Sequence, residues 1–207
     1  MKKKGNGRDG SLHVNFVLDE TGSMNSCKDA TISGFNEYVD TLKKKKLKFT
    51  LTKFDSEKIE VVHKAVPIKD VKHLTNKTYT PGAMTPLYDA IGNTIKALDG
   101  AKKVLCVVMT DGMENASREY TRAGICTLIK EKERAGWTFV YLGANQDAWM
   151  VGQSIGLSKG NVMNYDTSQT KSAFTGTANA TMAYCNSGGR RTATLLSDNI
   201  DEDSLKE

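Results

Sequence analysis

The sequence of 207 residues has no run near the roughly 18–20 consecutive apolar residues needed to cross a bilayer, so no membrane-spanning helix is predicted. Met1 to Arg8 carry the positive charge of a signal peptide, but only a short strand-like run follows them. No export is expected, and the chain reads as cytoplasmic. Cysteine is scarce: Cys27, Cys106, Cys126 and Cys185 form no C-x-x-C pair, and none of the three histidines stands at metal-ligand spacing. That pattern favours reduced thiols over a disulfide framework and argues against zinc. There is no Gly-rich loop ending in Gly-Lys-Ser/Thr and no G-x-S-x-G elbow, which removes the P-loop and serine-hydrolase readings. His13 and His63 lie in strand-like stretches and read as strand residues, not bases.

What is present suits one medium-sized domain: 39% hydrophobic and 26% charged residues are enough to bury a core. The net charge of +5 is uneven, since residues from 160 onward hold four Lys/Arg against six Asp/Glu. Much of the excess lies in the N-terminal arm and in Lys43-Lys44-Lys45-Lys46-Leu47-Lys48. Such a run can be a nucleic-acid patch. It can equally be a set of cations at a helix C-terminus, complementing the helix dipole. No aromatic residues interleave to stack bases, so the helix-end reading is preferred and no nucleic-acid partner is expected.

Strand-like and helix-like segments alternate, which predicts an α/β fold with a doubly wound, mostly parallel sheet, helices on both faces and one antiparallel edge strand. Residues 12–18 read as a first strand ending at Asp19. Ile32, Phe35, Val39 and Leu42 mark one face of a helix beginning near residue 26. Residues 47–54 and 58–66 read as a hairpin of edge strands with one wet face. Thr85 is expected to cap a helix whose first residue is Pro86 and whose apolar face is Leu87, Ile91, Ile95 and Leu98. Val104 to Met109 is continuously apolar, as a doubly covered central strand should be. A helix from about 119 to 135 closes at Gly136, a strand follows at 138–142, and weaker signals give a helix, a short strand and a last helix by residue 184. From Gly188 the chain reads as polar and loose.

Two buried strands end in polar residues: Asp19-Glu20-Thr21-Gly22-Ser23 and Thr110-Asp111-Gly112. In a doubly wound sheet the loops beyond strand C-termini share one crevice, so these segments can meet, with Thr85 as a third wall. Carboxylates and hydroxyls without thiolate or imidazole are hard ligands that suit Mg2+, Mn2+ or Ca2+. Positions 19, 21 and 23 on a tight turn can aim alternate side chains at one centre. Two carboxylates balance a divalent charge, and hydroxyls complete the shell while leaving a position for a partner's Asp or Glu.

These residues resemble the metal-ion-dependent adhesion site (MIDAS) of von Willebrand factor type A (vWA) domains: Asp-x-Ser-x-Ser, a Thr ahead of a helix, and an Asp-Gly after the central strand. Asp19, Thr21, Ser23, Thr85 and Asp111 match in order, with Thr21 where Ser is commoner, and the resemblance covers roughly residues 11 to 165. It implies a vWA/Rossmann-like domain over 11–185, between a basic arm at 1–10 and a polar tail at 186–207. It also implies that Thr21, Ser23 and Thr85 touch the metal while Asp19 and Asp111 hold it partly through water. The downstream segment from Gly143 is most similar to small intracellular bacterial or phage members. The expected activity is non-enzymatic: Mg2+-dependent binding of a protein that presents an acidic residue, with Met24, Tyr79, Met84, Met113 and Glu114 framing the contact. No small-molecule substrate is expected. The enzyme alternative is a phosphohydrolase of the haloacid dehalogenase type with Asp19 as nucleophile. That chemistry needs a second carboxylate two residues on, where this sequence has Thr21.

Overall fold

The computed structural model describes residues 11–200. Residues 1–10, the expected basic arm, and the last seven of the expected polar tail lie outside the described residues. β1 (Leu12–Asp19) lies in the middle of a six-stranded sheet, buried from His13 onward, with Val14, Phe16 and Leu18 on one face and His13, Asn15, Val17 and Asp19 on the other; it pairs in parallel with β2 (Leu47–Phe54) and with β4 (Val104–Thr110). The sheet order is β3-β2-β1-β4-β5-β6, with β5 at Thr138–Ala144 and β6 at Val162–Tyr165. β3 (Ile59–Pro67) runs antiparallel to β2. This is the mostly parallel α/β sheet expected, with one antiparallel edge.

The hairpin differs from expectation in one respect. Only β3 is an edge strand; β2 is buried along nearly its whole length, because it is paired on both sides and covered on both faces. Between the strands, Asp55 Oδ1 accepts from the Glu57 and Lys58 amides at 2.7 and 2.8 Å and closes the turn.

One face of the sheet is covered by α1 (Lys28–Leu42) and α5 (Thr170–Asn186). There Phe16 of β1 stacks on Phe174 (5.8 Å, 13°) and meets the edge of Phe35 (5.8 Å, 89°). The opposite face is covered by α2 (Leu87–Ala97), α3 (Arg122–Arg134) and α4 (Ala148–Ser154), which bury Ile91, Ile95, Ile125, Ile129 and Ala148. Both cores are continuous and apolar, the main source of stability for such a layered fold.

Helix starts differ from the sequence reading for local reasons. Gly22–Cys27 forms a 3-10 stretch that buries Met24, so α1 begins at Lys28. α2 begins at Leu87 with Pro86 as its N-cap, and Thr85 does not cap it. Its free amides are satisfied from another loop instead: Tyr88 N donates to Glu114 Oε2 (2.9 Å) and Asp89 N to Ser117 Oγ (3.0 Å). α3 begins at Arg122, because the Asp89 carboxylate accepts the amides of Arg118, Glu119 and Tyr120 and holds them out of the helix. Thr121 then caps it through Gly124 N. The segment after Gly188 is not loose throughout: Leu195 and Leu196 are buried in the core, and Asn161 Oδ1 accepts from Leu195 N at 2.7 Å. This strap is bonded to Gly160 and Asn161, in the turn that leads into β6. All four cysteines are free thiols, and no described helix is long and apolar enough to cross a membrane.

Candidate metal centre

The C-terminal ends of β1 and β4 are neighbours in the sheet, which brings Asp19 and Asp111 to one rim. Asp19 is fully buried. Its Oδ1 accepts from Thr21 N at 2.6 Å, the short turn that orients the following residues, and its Oδ2 accepts a close hydrogen bond from the Thr110 hydroxyl. Thr110 Oγ1 also accepts from Gly112 N at 3.0 Å, so one side chain fixes both the β1 carboxylate and the turn that carries Asp111.

From this base the oxygens form a chain. Thr85 Oγ1 donates to Thr21 Oγ1 at 3.4 Å, Thr21 Oγ1 lies 3.3 Å from Ser23 Oγ, and Ser23 Oγ donates to Asp111 Oδ1 at 2.5 Å. Segments 64 and 88 residues apart in sequence are thus in contact. Neighbouring ligand oxygens of an octahedral Mg2+ shell lie about 3 Å apart, so this spacing fits a small hard cation. Thr21 and Thr85 are buried while Ser23 is exposed, so the oxygen set opens to solvent on one side.

The electrostatics point the same way. Burial pushes Asp19 up to about 6, against the lowering effect of its bonds from Thr110 and Thr21; burial likewise raises Asp111 above the usual carboxylate range. Among the described residues no ion pair reaches either group. A cation seated among these oxygens would supply the missing countercharge. Among the described residues no cluster of three or more His, Cys, Asp or Glu side chains exists. Any ion held here relies on hydroxyls, the ligand type of hard oxygen-seeking metals.

The loop that delivers Thr85 is tied down by residues whose role the sequence reading missed. Lys53 Nζ donates to both Glu20 oxygens at 2.8 Å and to Thr78 O at 2.6 Å, a pair with only 5% and 3% of the residues exposed. Glu20 Oε1 also accepts from Thr80 N (2.7 Å), and Gly22 N donates to Ala83 O (3.1 Å). Thr85 N donates to Asn115 Oδ1, and Asn115 N donates back to Thr85 O. The available signal was that Lys53 takes a position that the alternation of Leu47, Phe49 and Leu51 marks as apolar. Gly112 is required by packing: a Cβ there would stand 2.6 Å from Thr85 Oγ1.

Three of the five framing residues are not surface contacts. Met24 and Tyr79 are buried, and the Tyr79 hydroxyl donates to Asp19 O at 2.6 Å; burial raises its pKa well above the ordinary tyrosine value. Glu114 is half-buried and spends its carboxylate on backbone amides. Met84 and Met113 do project, at 54% and 65% exposure.

No protein-family model matches the sequence, and no curated protein matches it. Solved structures do match in fold. Proximal thread matrix protein 1 from the mussel byssus shares 15% identity over 82% of this chain and 46% of its own length, with a TM-score of 0.62. A von Willebrand factor type A protein from Catenulispora acidiphila shares 14% identity over 83% and 43%, at 0.59. Manganese-loaded TRAP protein from Plasmodium vivax shares 12% identity over 79% and 71%, at 0.52. This chain spans less than half the length of the first two. At such identities the likeness establishes a shared fold.

Proposed function

Taking the vWA fold as the starting point, we propose that this chain is a non-enzymatic, divalent-metal-dependent protein-binding module. Asp19, Thr21, Ser23, Thr85 and Asp111 hold Mg2+, with Mn2+ or Ca2+ as alternatives, and an Asp or Glu of a partner protein fills the remaining coordination position. The observation that carries this reading is the contiguous run of oxygens from three distant segments, beside a buried Asp19 and a half-buried Asp111 that meet no cationic side chain among the described residues. The manganese-loaded TRAP protein shows that a protein of this fold can carry such an ion.

When bound, the ion supplies a Lewis-acidic position for a carboxylate oxygen. The chain does the rest. Asp19 and Asp111 provide the negative charge, the three hydroxyls fill positions without adding charge, and Thr110 and Tyr79 keep Asp19 oriented. Met84 and Met113 give the rim two adaptable apolar contacts. The phosphohydrolase alternative fares worse. Both Asp19 oxygens already accept hydrogen bonds, position 21 is a hydroxyl, and Glu20 is engaged by Lys53.

Thermal melting in Mg2+, Mn2+ and EDTA tests the metal, with Asp19→Ala as the control. Wild type gains stability with metal by linkage and the variant loses most of that gain. Equal melting under all conditions sinks the proposal. A pull-down comparing wild type with Asp111→Ala, each in Mg2+ and EDTA, then tests the partner. A protein held through the ion stays only with wild type in Mg2+.

A further inference from the structure

The topology sorts charge between the two ends of the sheet. At the end opposite the oxygen cup, α1 has just finished, β2 begins at Leu47, β3 finishes with Pro67 beside Lys48, and His13 N donates to Lys103 O ahead of β4. Lysines from four separate segments therefore collect there. One groove of about 430 Å3 is lined by the four lysines at 43–46 with Lys48 and Lys69, and among the described residues by no acid. An adjoining groove of about 390 Å3 shares Ser11 and Lys48 with it and adds Lys64 and Lys102. Its one acid, Asp99, is engaged by Lys132 at 2.8 Å. Within the run, Lys43 pairs with Asp40 (2.6 Å) and Lys45 with the Asn186 amide oxygen, while Lys44, Lys46 and Lys69 are exposed.

We propose that this basic end binds the phosphodiester backbone of a nucleic-acid duplex, independently of the metal cup. Exposed lysines such as Lys44, Lys46 and Lys69 supply the sequence-independent component of such binding, and they release counterions when they meet phosphates. A single strand is disfavoured because, among the described residues, no Phe, Tyr or Trp lines either groove and the one ring that does, His13, is buried. An anionic membrane is disfavoured because the large apolar side chains of the first groove, Leu47 and Ile68, are buried and cannot insert. The lysine run alone did not require this reading; the arrival of Lys64, Lys69 and Lys102 from other segments does. β1, eight residues long, separates the two ends by about 25 Å, so both can be occupied at once.

The test is fluorescence anisotropy with a labelled 20-base-pair duplex of arbitrary sequence across a salt series. A single strand and phosphatidylserine-containing vesicles serve as the other arms. With about six phosphate contacts, the log–log salt slope should be near −5. The triple variant Lys44→Gln, Lys46→Gln, Lys69→Gln should weaken binding at 50 mM salt at least about tenfold and reduce the slope by about three. Should the triple variant melt below wild type, the single variants Lys44→Gln and Lys69→Gln are read instead, each lowering the slope by about one. Asp111→Ala should bind the duplex as wild type does. The proposal is overturned by absent duplex binding at 50 mM salt, by an unchanged slope in the lysine variants, or by tighter retention on vesicles at equal anionic charge. Loss of duplex binding in Asp111→Ala overturns the independence of the two ends.

Discussion

Replacing Asp19 with Asn removes a buried charge while keeping the side chain's shape, and the stability it adds in the absence of metal should be nearly cancelled when metal is present. Burial raises Asp19 from the usual 3.8 to about 6. The native state therefore binds this proton more tightly than the unfolded chain. The group favours folding below the unfolded pKa, and that advantage is lost as pH rises from about 4 to about 6. The shift corresponds to about 3 kcal/mol at neutral pH. Asn can still accept from Thr21 N, and the Thr110 hydroxyl can turn its hydrogen fully to Gly112 O, which lies 3.1 Å away. In EDTA at pH 7.5, Asp19→Asn should therefore be more stable than wild type by up to about 3 kcal/mol, with the gap closing near pH 4. In Mg2+ at about 100 times its Kd, wild type should gain about 2.7 kcal/mol, a rise of roughly 5–10 °C in Tm for a chain of this size, and the variant far less. Urea titrations of both proteins from pH 4 to 8, with and without metal, read all four quantities. If the two proteins run parallel across pH in EDTA and metal moves neither, the assignment of an uncompensated carboxylate at a cation site is wrong.

Three further outcomes follow from the packing. Gly112→Ala puts a methyl 2.6 Å from Thr85 Oγ1, so it should lower metal affinity more than about tenfold, read by calorimetric titration with Mn2+, while costing about 1–3 kcal/mol of stability. Tyr79→Phe leaves the buried Asp19 carbonyl without its hydroxyl donor and should cost about 1–3 kcal/mol in urea; a variant as stable as wild type would show that this bond contributes little. Lys53→Met leaves Glu20 buried and unpaired, and should cost about 3–5 kcal/mol, most of it recovered when Glu20→Gln is added; no recovery in the double variant would count against the ion pair as the cause.

The strands and helices were legible because their periods are local. A continuous apolar run marked β4, shorter strand-like stretches marked β1 and β5, and three- and four-residue spacing marked α1 and α2. Errors fell where a residue's partner is remote in sequence. Thr85 has the chemistry of a cap, but Glu114 and Ser117 cap α2 from a loop that the sequence places 26 to 28 residues away. β2 alternates like an edge strand, yet the pairing order puts it inside the sheet. Tyr79 looked like a surface aromatic and is instead a buried strut beneath Asp19.

Taken alone, the sequence determined which side chains could bind a hard cation, since Asp19, Thr21, Ser23, Thr85 and Asp111 are oxygen donors whatever the fold. It also determined the α/β class, because hydrophobic period is a property of neighbouring residues. Only the tertiary structure decided that the Thr85, Thr21, Ser23 and Asp111 oxygens form one chain beside Asp19, that Lys53 and Glu20 brace its wall, and that lysines from four segments gather at the far end. The reason is sheet order: placing β4 beside β1 juxtaposes chain segments that no pattern along the sequence relates.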